Sequence, residues 1–62
     1  MYEKLRQKRK ETNTTVKTLR GLINLKTDPS YFKKETGATT FTVEEAFVIA
    51  DYFKTTVDKL FR

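Results

Sequence analysis

Residues 15–37 read TVKTLRGLINLKTDPSYFKKETG. Leu19, Leu22 and Ile23 recur at helical spacing and make one apolar face, which predicts a helix over residues 16–23. Thr15 just precedes that run and suits its N-cap, where a hydroxyl accepts from a free backbone N–H. Asn24 follows it, where a chain often leaves a helix through a left-handed residue. A second helix is predicted over residues 29–36. Asp28 can cap it, Pro29 fits the first helical position because it has no N–H to lose, and Gly37 stops it. Gly21 lowers helicity by about 1 kcal/mol relative to alanine; close approach of a neighbouring helix is the preferred reason, and a simple tolerated cost is the alternative. Leu25 is the one apolar residue of the turn and is expected to plug the gap between the two helices. Tyr31 and Phe32 are adjacent and cannot face the same way, so one enters the core and the other is partly exposed. Two short helices about a tight turn form a helix-turn-helix candidate; an ordinary pair of packed helices has the same pattern.

Downstream, Thr42-Val43-Glu44-Glu45 forms a capping box, with Glu45 three residues after the cap. Phe41 precedes it as a hydrophobic staple expected to meet Ala46 or Phe47. Val43, Ala46, Phe47, Ile49, Ala50 and Phe53 line a wide apolar face, so this fourth helix is expected to centre the core. Val57, Leu60 and Phe61 form a short fifth helix after Thr55-Thr56, with Asp58 favourable near its positive end. Upstream, residues 2–11 are charged and rich in helix formers, with Tyr2 and Leu5 the apolar members. The next positions on that face are Lys8 and Arg9, so the first helix must lend aliphatic stems to the core. The expectation is all-α: a compact bundle of four to five short helices, one domain over residues 1–62. The helix-turn-helix would span about 15–37 and the C-terminal core helices about 42–61.

Sixty-two residues allow one small core, and the absence of cysteine and histidine excludes disulfides and Cys/His zinc sites as staples. There is no apolar run of membrane-spanning length and no signal peptide, so the expected location is cytoplasmic. Net charge is +5, unevenly distributed: residues 1–34 hold ten Lys/Arg against three acids, and residues 35–62 hold three against five. A basic half points to a polyanion, and the other half to a different task. Solubility alone is the plainer account of such a charge. The run Lys8-Arg9-Lys10 can track phosphates or form a solvated helix face.

Enzyme chemistry has little to work with. Without His or Cys the common acid–base and thiol arrangements are missing, and two glycines do not build a phosphate-cradling loop. No cofactor, metal or small-molecule ligand is expected.

The chain resembles the Cro/repressor-type, lambda-repressor-like helix-turn-helix family over nearly its whole length. The resemblance is carried by Phe41-Thr42-Val43-Glu44-Glu45-Ala46, Ile49-Ala50-Asp51-Tyr52-Phe53 and Val57-Asp58-Lys59-Leu60-Phe61, with Leu5, Arg9, Thr15, Leu19, Tyr31, Glu35 and Gly37 at matching positions. It departs from the family at several points. Val16 stands where the family often has a phosphate-contacting glutamine, and Arg20 where a small alanine is usual. Asn24 replaces the turn glycine, Lys8 takes an apolar position, and one extra residue falls near Thr27-Asp28-Pro29.

The resemblance implies a sequence-specific duplex-DNA-binding protein of a bacterial nucleoid or a phage-infected host, a small transcriptional regulator such as a phage or mobile-element Cro-like repressor. A protein-interaction module on the same fold, or a recombination accessory protein, would share the pattern. The N-terminal part of the third helix is expected to read bases, with Asp28, Ser30, Lys33 and Phe32 as candidates. Asp28 can accept from cytosine N4 or be taken up as the cap, and Phe32 can meet a thymine methyl or a neighbouring helix. Candidate phosphate contacts are Lys17, Lys26, Lys34, Arg9, Thr15, Thr39 and Thr40. A homodimer on a palindromic operator is expected, through Phe61, Leu60, Val57 and Tyr52. The same Val57, Leu60 and Phe61 can instead close the core of a monomer.

Overall fold

The computed structural model describes residues 2–62. Five helices follow in order: α1 (Glu3–Glu11), α2 (Val16–Leu22), α3 (Asp28–Thr36), α4 (Val43–Tyr52) and α5 (Val57–Phe61). There is no strand among the described residues. α2 packs on α3 and α4, and α5 closes against α1 and α4, in a body of 25 × 22 × 18 Å.

Hydroxyl caps set three of the helix starts. Thr15, Thr42 and Thr56 each accept from the backbone N–H three residues on. At Thr42 the capping box closes, because the Glu45 carboxylate accepts the Thr42 N–H at 2.9 Å. The start of α3 differs from expectation: Thr27 is the N-cap, without a side-chain cap bond, and Asp28 is the first helical residue. Asn24 leaves α2 with φ 61° and Gly37 ends α3 with φ 90°, both left-handed. Gly21 has open space where a Cβ would stand, so no close helix approach explains it.

The core holds Leu5, Leu19, Ile23, Tyr31, Phe41, Ile49, Ala50 and Leu60, with Tyr2, Val16, Leu25, Phe53, Val57 and Phe61 packed around it. Leu25 thus seals the turn as expected, while Leu22 sits at the surface. α4 contributes a narrower face than its sequence suggests. Ala46, Ile49 and Ala50 are buried, but Val43 is 72% and Phe47 61% exposed. Positions 46, 49, 50 and 53 form one helical stripe, and 43 and 47 lie on the neighbouring one, about 100° away. Phe47, one expected staple partner of Phe41, is turned to solvent. The Phe41 ring lies in an edge-to-face cluster with Tyr2 at 5.4 Å, Phe61 at 5.1 Å and Tyr31 at 6.3 Å. Phe61, Val57 and buried Leu60 therefore close the monomer, so Leu60 is not available as a dimer contact and only Tyr52 of that set is freely exposed.

Replacing Thr42 with alanine should cost about 1 kcal/mol through the lost cap. Ile49→Ala should cost about 2–5 kcal/mol, because the side chain is fully enclosed. Phe47→Ala should cost about 1 kcal/mol or less. Urea melts of the three variants check this; a Phe47 variant as damaged as the Ile49 variant would contradict the core described.

Candidate nucleic-acid interface

Two carboxylates, buried Glu35 and half-buried Glu45, fix α3. Glu35 is 3% exposed and lies one turn after Tyr31 on the inner face of α3. Arg9 on α1 grips it with both arms of the guanidinium: Nε donates to Oε2 and Nη2 to Oε1, each at 3.0 Å. The Tyr31 hydroxyl donates to the same Oε2 at 2.7 Å. The Glu35 backbone carbonyl accepts from the Tyr2 N–H at 3.0 Å. Burial first, and then the bond to Glu35, push the Tyr31 phenol far up, so it stays neutral and donates. The hydrogen bond to Glu35 outweighs burial and raises the Arg9 guanidinium, so Arg9 stays charged at ordinary pH.

The second strut runs to α4. Lys34 donates to Glu45 at 2.8 Å and to the Thr40 carbonyl at 3.0 Å. Burial pushes the Glu45 carboxyl up, but the Lys34 bond, the Thr42 N–H and the Lys34 charge together hold it below its ordinary value. No buried polar side-chain atom among the described residues lacks a partner.

With Tyr31 and Glu35 inward, α3 presents Pro29, Phe32, Lys33 and Thr36 outward, all exposed and at one-face helical spacing. Tyr31 is therefore the core aromatic and Phe32 the exposed one. The Arg9 guanidinium lies 5.7 Å from the Phe32 ring centroid, and the Tyr31 ring meets it edge-on at 5.9 Å.

The structure divides the residues singled out from sequence. Lys33 and Phe32 share the outward face of α3. Asp28 is exposed but engaged, accepting from Arg20 Nε at 2.8 Å, while Arg20 also reaches the Leu25 carbonyl at 3.4 Å. The Ser30 hydroxyl bonds the Thr27 hydroxyl at 2.8 Å. Lys17, Lys26, Thr39 and Thr40 are exposed, and Thr15 is occupied as the α2 cap. Arg9 and Lys34, both read as phosphate contacts, are turned inward onto Glu35 and Glu45.

Arg6 went unmarked in the sequence, and Lys10 was read only as part of the run Lys8-Arg9-Lys10. Arg6 and Lys10 share a side of α1 with Arg9 and, with Phe32, Glu35 and Thr36, line an open groove of about 430 Å³. The signal was the 6, 9, 10 spacing, which the contiguous run Lys8-Arg9-Lys10 obscured. Helical geometry turns Lys8 to the other side of α1, beside Lys4, Gln7 and Glu11. Among the described residues no cluster of three metal-ligating side chains occurs, and no helix is long and apolar enough to cross a membrane. In comparisons with models of known families, curated proteins and solved structures, no match is found.

Arg9→Leu leaves the Glu35 carboxylate enclosed without its counter-charge and should cost about 3–5 kcal/mol. Glu45 adds a pH dependence. Its carboxyl is lowered in the fold, so its contribution is present above the unfolded carboxylate value of about 4.3 and is lost as pH falls through the folded value. In urea melts at graded pH, the stability gap between the parent and Glu45→Gln should be constant near neutrality and shrink below that value. A gap that widens on acidification would contradict the Lys34 strut.

Proposed function

We propose that the chain is a duplex-DNA-binding helix-turn-helix protein of lambda-repressor-like form, in which α2 and α3 are the paired helices and α3 enters the major groove. More particularly, it is a small transcriptional regulator of the Cro-like repressor kind.

The observation that carries this reading is the outward face of α3. Lys33 and Phe32 project from a helix locked on both sides, by Arg9 on Glu35 and by Lys34 on Glu45. A rigid helix presenting a cation and an apolar ring suits DNA: Lys33 donates to guanine, and the Phe32 ring beside it offers an apolar surface. Asp28, held by Arg20, serves the turn rather than cytosine. Arg20 supports the reading in another way. Its guanidinium reaches across the turn to Asp28 and Leu25, so the bulk that replaces the usual small residue leaves α2 packed on α3. Exposed Lys17 and Lys26, with the Thr39 and Thr40 hydroxyls, supply phosphate contacts that give affinity without sequence.

A nine-residue recognition helix reads few base pairs, so the protein acts as a two-fold dimer on a palindrome. With Val57, Leu60 and Phe61 committed to the core, the contact falls to Tyr52 and the exposed side of α4. The exposure of Val43 and Phe47 also favours a second reading, a protein-interaction module on the same fold.

Footprinting on DNA flanking the gene, followed by a salt titration, separates the two. DNA binding should weaken log-linearly with salt, whereas an apolar protein contact should not. Lys33→Ala should change the preferred sequence, and Lys17→Ala should weaken all sequences alike. Equal losses on specific and random duplexes for the Lys33 variant would remove it from base readout. No duplex bound at low salt would overturn the DNA reading.

A further inference from the structure

We propose that the groove between α1 and α3 is a phosphodiester-binding site, which takes the sugar–phosphate backbone beside the bases that α3 reads. Arg6 and Lys10 face the phosphate and Phe32 packs against the sugar. This rests on the DNA reading and adds a site to it.

Three observations converge on that chemistry. The first is charge. Arg6, Arg9 and Lys10 line the groove against one acid, Glu35. Glu35 is fully engaged by Arg9 and Tyr31, so Arg6 and Lys10 remain uncompensated at the rim. Both are exposed and neither forms an ion pair among the described residues. Their spacing of four residues stacks them one turn apart on one side of α1, which suits a single anionic group held from two directions.

The second is the apolar wall. Phe32 is 42% exposed, and the Arg9 guanidinium, immobilised by Glu35, lies over its ring. A free inorganic anion gains nothing from such a wall. A phosphodiester does, because each phosphate is flanked by an apolar sugar edge. The other basic side of α1 differs: Lys4, Lys8 and Lys59 stand with Glu11 and no aromatic residue, and the hollow where Lys8 and Lys54 meet Tyr52 and Phe53 contains no residue of α3.

The third is continuity. Phe32 belongs both to the outward face of α3 and to the groove. A strand lying along that face therefore runs into the groove without a break. The Glu35 network fixes the wall in advance, so binding orders only the Arg6 and Lys10 side chains. The site adds affinity for any sequence and leaves selectivity to Lys33.

The test compares two double variants that remove the same charge. Binding of flanking and random duplexes is followed by fluorescence anisotropy across a salt series. The parent is measured first. Arg6→Gln with Lys10→Gln should lower the slope of log affinity against log salt by about 0.9, the value for the one phosphate they hold, equally on both duplexes. Lys54→Gln with Lys59→Gln, exposed cations outside the groove, should leave the slope within about 0.5 of the parent. Phe32→Ala should weaken binding without changing the slope, since an apolar contact releases no counterions. Thermal melts should match the parent for both double variants. A parental slope in the Arg6/Lys10 variant, or equal changes in the two double variants, would overturn the groove while leaving the DNA reading intact. A parent that binds no duplex would overturn both.

Discussion

One carboxylate ties the first helix of this protein to the third. Glu35 takes two bonds from Arg9, one from Tyr31, and, through its backbone carbonyl, one from Tyr2. Its own helix has few apolar side chains to bury, and α1 has only Leu5 fully inside. Packing alone would hold such helices loosely. A saturated, largely dehydrated ion pair instead permits one orientation, because any other would strand a charge away from water. The direction of every outward side chain on α3 follows from it. With residues 31 and 35 pinned inward, residues 29, 32, 33 and 36 must face solvent.

The same logic sorts the cations. Arg9, Arg20 and Lys34 are spent inside the fold, on Glu35, Asp28 and Glu45. The remaining basic groups of the first half, half-buried Lys8 apart, stay exposed along α1, the start of α2, the turn and α3. α4 carries none, and shows Glu44 and Asp51 beside exposed Val43 and Phe47. Such a distribution favours anions near the basic helices over α4. The small core constrains the rest. A domain this short cannot spare Phe61, Val57 and Leu60 for an interface, because these residues seal its aromatic cluster.

Much of this was legible locally. The helix order, the threonine caps, the capping box at Thr42 and the left-handed Asn24 depend on neighbours within a few residues, and the sequence displays those neighbours. The two acids' partners were not legible. Arg9 lies 26 residues from Glu35 and Lys34 eleven from Glu45, so each looked like a free surface cation. Phe47 was misread for a different reason. Helical periodicity admits a stripe through 43 and 47 as readily as one through 46, 49 and 50, and only the neighbouring helices decide which is covered. Adjacent Tyr31 and Phe32 left an alternative that the hydroxyl of Tyr31 resolves, since that residue alone can donate to Glu35. Arg6 and Lys10 were visible as residues but not as a pair facing an aromatic ring on another helix.

Backbone amide chemical shifts, followed while duplex DNA from the gene's flanks is titrated into the labelled protein, test the account most directly. The claim is that the Glu35 network aims one face of α3, with the adjoining side of α1, at DNA. The largest shifts should fall on Phe32, Lys33 and Thr36 and on Arg6 and Lys10, with small changes at Glu44, Phe47 and Asp51. Shifts concentrated on α4, with α3 unmoved, would contradict it.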